Sequence, residues 1–427
     1  MKSALPSMAN LVENDARFIR SGKGAEWMIA LNNQQQTQMI QATHSPPCTY
    51  DNIQPMNVRS FGSGVHTSFA LSQPAPAIDQ NICSLLRLVP SNLTAKLLQG
   101  GTLLSYKVRD IILDLGGRPY MLLSKNKERT FLSDDASVMT DRGVLQAIEE
   151  KLEGKFGYDN RAGFDGQLHR ISCMRNRQGD IYSLTMRVGR SVTGIVGLID
   201  EILVGKQSSV LILGRPGSGK TTVIRDVARR LSTVQDCQHV LIVDSSNEIA
   251  GDGDVVHPSV GMARRMMVPC LDMQGHIMVE AVQNHSPDVI IVDEIGRRKE
   301  VNAAKTVKER GVRMIAIAHG DLQSLIRNPE LNGLVGGISP VMLGDTQAAI
   351  INKGNKIQQI RSTSPIFEVI IELCPNDFNY WTVIPNVAEA VDNFLQGREY
   401  AIEKRWRVRN AQGTHDFYKA SSNQEPV

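Results

Sequence analysis

The sequence predicts an α/β fold: a domain with a parallel sheet covered on both faces, preceded by a smaller α+β domain. Three observations carry that expectation. Gly214-Arg215-Pro216-Gly217-Ser218-Gly219-Lys220-Thr221 stands between an apolar run, Val210-Leu211-Ile212-Leu213, and residues 222–231. In the latter, Val223, Ile224, Val227, Ala228 and Leu231 share one helical face. Further apolar runs at residues 239–243, 289–292 and 312–318 alternate with helical segments, as buried parallel strands do. The run at 289–292 ends in two acids, Asp293-Glu294.

At 427 residues there is room for two or three domains. Residues 1–78 are rich in Gln, Asn, Ser, Pro and Met and weakly periodic, so they read as a disordered extension. Acids are sparse there, which suits a targeting role, although Glu13, Asp15 and Glu26 interrupt it. Residues 79–190 form the α+β domain. Residues 84–99 have helical spacing with Pro90 as a break; 108–115 and 120–123 read as strands around Gly116-Gly117. Thr140 is expected to cap a helix through Leu152, with Asp141 in its first turn, and 168–175 with 181–188 make a hairpin. Arg161, Arg170, Arg175, Arg177, Arg187 and Arg190 surround it, as a solvated face or a nucleic-acid surface. Residues 191–375 are the nucleotide domain, entered by an amphipathic helix at 191–204 and closed by an edge strand at 367–373. Residues 376–427 read as a tail with a short helix at 387–394 and a basic patch at 403–409, either a charged helix end or an anion-binding surface.

The composition excludes other classes. A net charge of +3 does not by itself imply nucleic acid. Six scattered cysteines without a C-x-x-C pair disfavour structural zinc and disulfides. No apolar run reaches membrane-spanning length, so no transmembrane segment is expected.

The chemistry follows from the motif residues. Glycines let the loop turn its N–H groups toward one point, and the helix N-terminus adds positive potential there. Gly214, Arg215, Pro216, Gly217, Ser218, Gly219, Lys220, Thr221 and Thr222 are therefore the expected ATP-binding residues. Lys220 reaches the β- and γ-phosphates, and Thr221 with Asp293 holds Mg²⁺. Glu294 is the expected general base, beside an Asp293 expected next to the loop. His319 ends the 312–318 strand where it could face the γ-phosphate, and Glu248, after Asp244-Ser245-Ser246-Asn247, is a second candidate acid. Of the paired basic residues Arg264-Arg265 and Arg297-Arg298, Arg264 or Arg265 is the candidate arginine finger of a ring. No Gly-x-Gly-x-x-Gly follows a strand, so the domain reads as RecA-like rather than dehydrogenase-like.

Residues 243–254, 261–266 and 281–288, together with Asp159-Asn160-Arg161-Ala162-Gly163 and Leu168-His169-Arg170-Ile171-Ser172, closely resemble a known family. It comprises the stage III sporulation protein AA-like ATPases and the proteins of hypothetical chloroplast reading frame 45. That family is in turn similar to type II and type IV secretion ATPases, whose pattern Pro287, Asp288, Ile290, Glu294 and His319 match. The resemblance implies an ATP- and Mg²⁺-dependent ATPase, a homo-oligomer in a hexameric ring, and a plastid location, the cytoplasm being the alternative. Longer members resemble this chain and continue into a nucleic-acid module built on Arg-x-x-x-His, a spacing this sequence lacks. An oligomeric motor is the first expectation. A nucleic-acid-binding ATPase of plastid development or gene expression, a nucleotide-gated scaffold and a small-molecule kinase are the others.

Overall fold

The computed structural model describes residues 80–91, 93, 108–123, 129–157, 159–233, 238–342, 344, 356–375, 377–410 and 415–424. The expected extension at 1–78 lies outside them. Residues Pro74–Val427 cluster as one compact unit built on two large sheets.

The first sheet is antiparallel and six-stranded, in the order β3-β2-β1-β6-β5-β4. Its strands are β1 (Val108–Asp114), β2 (Tyr120–Leu123), β3 (Arg129–Phe131), β4 (Arg161–Ala162), β5 (Arg170–Arg175) and β6 (Ile181–Arg187). Helices α1 (Gln80–Leu86) and α2 (Arg142–Lys151) contribute Ile82, Leu85, Leu145 and Ile148 to its core, with Ile111, Leu113, Leu184 and Met186. The cap of α2 is Asp141, not Thr140. Its Oδ1 accepts from the Val144 backbone N–H at 2.8 Å, and the carboxylate also suits the positive helix end.

The second sheet has nine strands: β7 (Val210–Gly214), β8 (Val240–Asp244), β9 (Arg264–Met267), β10 (Val289–Val292), β11 (Arg313–His319), β14 (Val369–Leu373), β15 (Tyr380–Ile384), β16 (Tyr400–Arg409) and β17 (His415–Gln424). A separate pair, β12 (Ile338–Met342) and β13 (Ile357–Arg361), forms a small ribbon. The nine strands run β17-β16-β15-β14-β7-β11-β10-β8-β9. From β14 to β9 the neighbours are parallel, and from β14 to β17 antiparallel. The sheet is thus mixed rather than wholly parallel.

Successive side chains of a strand point to opposite faces, so each parallel strand feeds two cores. Val210, Ile212, Ile242, Ile291 and Ile317 pack with Val223, Val227 and Leu231 of α4 (Lys220–Thr233), the helix after the short α3 (Asp200–Leu203). Leu211, Leu241, Ile290 and Ala316 face the other way. They meet α5 (Gln274–His285), α6 (Arg298–Glu309), α7 (Leu322–Arg327) and α8 (Val387–Leu395). That two-sided burial is why the strands read as unbroken apolar runs.

Four expectations are corrected. Residues 367–373 are not an edge strand, because β14 pairs with β7 on one side and β15 on the other. Residues 376–427 are not a tail: β15, α8, β16 and β17 extend the sheet, and Trp381 is wholly buried. The basic patch is a strand, not a helix end; Arg405, 4% exposed, is accommodated by Glu201, Glu403 and the Leu198 carbonyl. The helix expected at 191–204 is a 3₁₀ turn, Ile195–Ile199, followed by α3. The Leu198 carbonyl that a helix would use accepts from Arg405 Nη1 at 2.7 Å instead, and Val196 N–H donates to Asp226.

Candidate functional site

Parallel strands place their C-terminal ends on one edge of the sheet, and there the candidate residues converge. β7 ends at Gly214, and the loop turns through Gly217 and Gly219, at φ of +80° and +90°, into α4. Both glycines adopt left-handed backbone that side-chain-bearing residues disfavour. The ammonium of Lys220, a residue 8% exposed, donates to the Gly214 and Arg215 carbonyls at 2.8 and 3.0 Å. Burial pushes its pKa down, while the Glu294 charge opposes that shift. The Ser218 hydroxyl is buried and has no hydrogen-bond partner among the described residues. An unpaired buried hydroxyl beside a buried ammonium fits an anion that accepts from both.

β11 lies between β7 and β10, with His319 level with Gly214. Asp293 is therefore one strand removed from the loop, not directly beside it as the sequence suggested. The interposed strand brings His319 between two other candidates. Its Nδ1 is 3.2 Å from Lys220 Nζ and its Nε2 3.0 Å from Glu294 Oε1. An ammonium can only donate, so Nδ1 accepts and the ring proton belongs on Nε2, donated to Glu294. The Glu294 and His319 side chains are about half exposed, and the Glu294 carbonyl accepts from buried Gln274 at 2.6 Å.

Behind this row lie two buried carboxylates on neighbouring strands. Asp293 accepts from Ser246 N–H at 3.2 Å, from Ser245 Oγ at 3.3 Å and from Ser246 Oγ. Asp244 accepts from the N–H groups of Glu248, Ile249 and Ala250 at 3.2, 3.1 and 2.9 Å. Burial first, and the Asp293 charge second, push Asp244 from 3.8 up to about 7; burial likewise raises Asp293. Buried carboxylates on neighbouring strands are of the oxygen-ligand type that suits a divalent cation. The folded state keeps the Asp244 proton up to about pH 7, whereas an unfolded aspartate loses it near 3.8. Folded protein binds more protons across that window, so its stability falls as pH rises through it. Without divalent cation, the melting temperature is expected to fall from about pH 5 to about pH 7, and less steeply in Asp244→Asn. Thermal unfolding over that pH range checks this; parallel curves for the two proteins would refute it.

Glu248 lies apart from the row. Arg170 of β5 donates to it at 2.8 Å, so it joins the two sheets. The neighbouring Glu248 and Ile249 carbonyls accept from Arg225 of α4, which is largely buried. Arg265 is also engaged, donating to the Gly251, Gly253 and Asp254 carbonyls. Arg264 is exposed on β9, the sheet edge, 3.3 Å from His239 Nε2. Arg297 pairs with Asp272 at 2.7 Å. In the first sheet, Arg187 pairs with Asp110, Arg175 with Glu149 and Arg161 with Asp159. Sequence reasoning missed Ser245 and Ser246 as partners of Asp293, and Arg225 and Gln274 as supports. Only the serines gave a local signal, by following a strand-end aspartate.

The family model for sporulation stage III, protein AA matches residues 80–339, more than half of the chain. The chain belongs to that family. The resemblance read from its motifs is thereby shown, and the match spans the first sheet and the whole convergent edge from Gly214 to His319. Among relatives, the uncharacterized protein ycf45 of Porphyra purpurea is 46% identical over 297 residues, 69% of this chain and 51% of that protein. Protein SEEDLING PLASTID DEVELOPMENT 1 of Arabidopsis thaliana is 39% identical over 313 residues, 72% of this chain and 43% of its own length. The chain spans about half the length of these relatives. Among solved structures, the ATPase DotB of Legionella pneumophila aligns with a TM-score of 0.43 at 11% identity, covering 82% of each chain. No helix among the described residues is long and apolar enough to cross a membrane.

Proposed function

We propose that the chain is a Mg²⁺-dependent ATPase that hydrolyses ATP on the edge between Gly214 and Glu294 and works as an oligomeric motor. The observation that carries this reading is the row Lys220–His319–Glu294, which joins a phosphate-binding amine to a candidate base through one imidazole. In this reading residues 214–222 hold the phosphates and Lys220 neutralises the β- and γ-phosphates. Mg²⁺, when held by Thr221 and Asp293, supplies further charge neutralisation there. Glu294 takes the proton of the attacking water. The water oxygen bonds to the γ-phosphorus as the bond to the bridging oxygen breaks, leaving ADP and phosphate. His319 touches both the amine and the base, so it is suited to couple phosphate loss to Glu294. Glu248 anchors the first sheet in this scheme. Arg264, the exposed member of its pair, is the candidate to reach a neighbouring copy of a ring. The name of the Arabidopsis relative supports a plastid location.

Substituting His319→Ala tests the row. Turnover is expected to fall roughly 10–100-fold with ATP affinity little changed, because the imidazole acts on the reacting end alone. Steady-state hydrolysis and equilibrium binding separate the two quantities. Unchanged turnover would remove His319 from the mechanism.

One observation favours a second reading. Trp406 and Tyr418 stack with ring centroids 5.8 Å apart on β16 and β17, with Lys404 two residues before Trp406 on the same strand face. Stacked aromatic rings beside a cation suit single-stranded nucleic acid. Salt-sensitive stimulation of ATP hydrolysis by single strands would support it.

A further inference from the structure

The order of the strands gives the phosphate loop two different flanks. On one side β11 presents His319, and beyond it β10 presents Asp293 and Glu294. On the other side β14 runs parallel to β7, so its C-terminal end emerges on the same edge as the loop. The connection from β14 to β15, residues 374–379, starts there. Among the described residues, the histidine and the candidate base, His319 and Glu294, lie on the β11 side. A nucleotide held at Lys220 with its γ-phosphate toward Glu294 would then direct its other end toward the β14 side.

That flank carries an aromatic ring. A Cβ placed on Gly219 would lie 2.3 Å from Cε2 of Phe378, so the phenyl ring rests against the loop residue that precedes Lys220. The Arg407 guanidinium of β16 stands over the Phe378 ring, 5.1 Å from its centroid. Arg407 is itself fixed, its Nε donating to Asn379 Oδ1 at 2.7 Å and its backbone N–H to the Asn379 carbonyl at 3.1 Å. Trp381 Nε1 donates to the Phe378 carbonyl at 3.1 Å and ties the turn to the core. The ring is only partly buried, although it packs on the core that contains Trp381. Phe378, Asn379, Trp381 and Arg407 lie beyond residue 339, outside the segment that the family model matches.

We propose that Phe378, backed by Arg407, is the base platform of the nucleotide site, and that the nucleobase of the bound triphosphate stacks on the ring face opposite the guanidinium. The proposal rests on the nucleotide reading above and adds the recognition of the base to it. A stacking surface accepts any nucleobase, because every base has a π-face. The platform therefore contributes affinity for nucleosides over bare phosphate chains, and no discrimination between adenine and guanine.

The test compares binding of ATP and of inorganic tripolyphosphate, both with Mg²⁺, by calorimetry on the full chain. Phe378→Leu keeps an apolar side chain against Gly219 but removes the π-face; Phe378→Tyr keeps both. Wild type is expected to bind ATP more tightly than tripolyphosphate. Phe378→Leu is expected to lose roughly tenfold or more in ATP affinity, as removal of one base-stacking ring does, with tripolyphosphate affinity unchanged. Phe378→Tyr is expected to match wild type. Equal losses for both ligands in Phe378→Leu would make the ring a support of the loop and overturn the proposal, as would an unchanged ATP affinity. If wild type bound neither ligand, the nucleotide reading would fail instead, which is a separate outcome.

Discussion

Glu294→Gln is expected to bind ATP as the wild type does and to hydrolyse it roughly 10²–10⁴-fold more slowly, the span that a positioned general base contributes. The amide keeps an oxygen where Glu294 Oε1 accepts from His319 Nε2 at 3.0 Å, so the row remains geometrically intact. It also leaves the Gln274 bond to the Glu294 carbonyl in place. What it removes is the capacity to take a proton from water at neutral pH. Binding measured by calorimetry and turnover measured by phosphate release should therefore part company. If turnover is unchanged, the base lies elsewhere, and Glu248 would have to leave Arg170 to serve. If binding is lost along with turnover, Glu294 supports the site structurally rather than acting in the chemistry.

Lys220→Ala is expected to abolish nucleotide binding at ordinary concentrations. The ammonium is buried and already oriented by two carbonyls, so little further ordering is needed when it meets a phosphate. Charge-assisted hydrogen bonds contribute about 1.5–3 kcal/mol each, so losing two of them weakens binding by roughly 10²–10⁴-fold. Substitution by Arg is not expected to rescue binding, because the planar guanidinium cannot occupy the compact position between Gly214 and Arg215. Thermal unfolding distinguishes loss of binding from loss of fold. A variant that melts as the wild type does and yet binds ATP normally would overturn the phosphate-loop reading.

The parts of this molecule that were legible in its sequence are those whose parts are contiguous. Strand, glycine-rich loop and helix follow one another between Val210 and Thr233, and the two acids follow β10 directly. Local propensity, burial and turn chemistry all act within those few residues. They therefore left a readable pattern. β16 did not read as a strand because charged residues crowd its middle, though Ile402, Trp406 and Val408 do keep an alternating spacing. Its burial of Arg405 depends on Glu201 and Leu198, about two hundred residues earlier in the chain, and no local pattern records such a partner.

The sequence by itself determined which groups each strand end carries, since the glycine-rich loop with Lys220 and the acids Asp293-Glu294 each follow an apolar run directly. Only the tertiary structure decided how those groups are ordered in space. Inserting β11 between β7 and β10 places His319 between Lys220 and Glu294, and pairing β14 with β7 puts Phe378 on the opposite flank of the loop. It also commits Glu248 to Arg170, 78 residues away in sequence. Strand order is set by which apolar faces bury together with which helices, a non-local sum over both cores, and that is why it cannot be read from any one stretch of the chain.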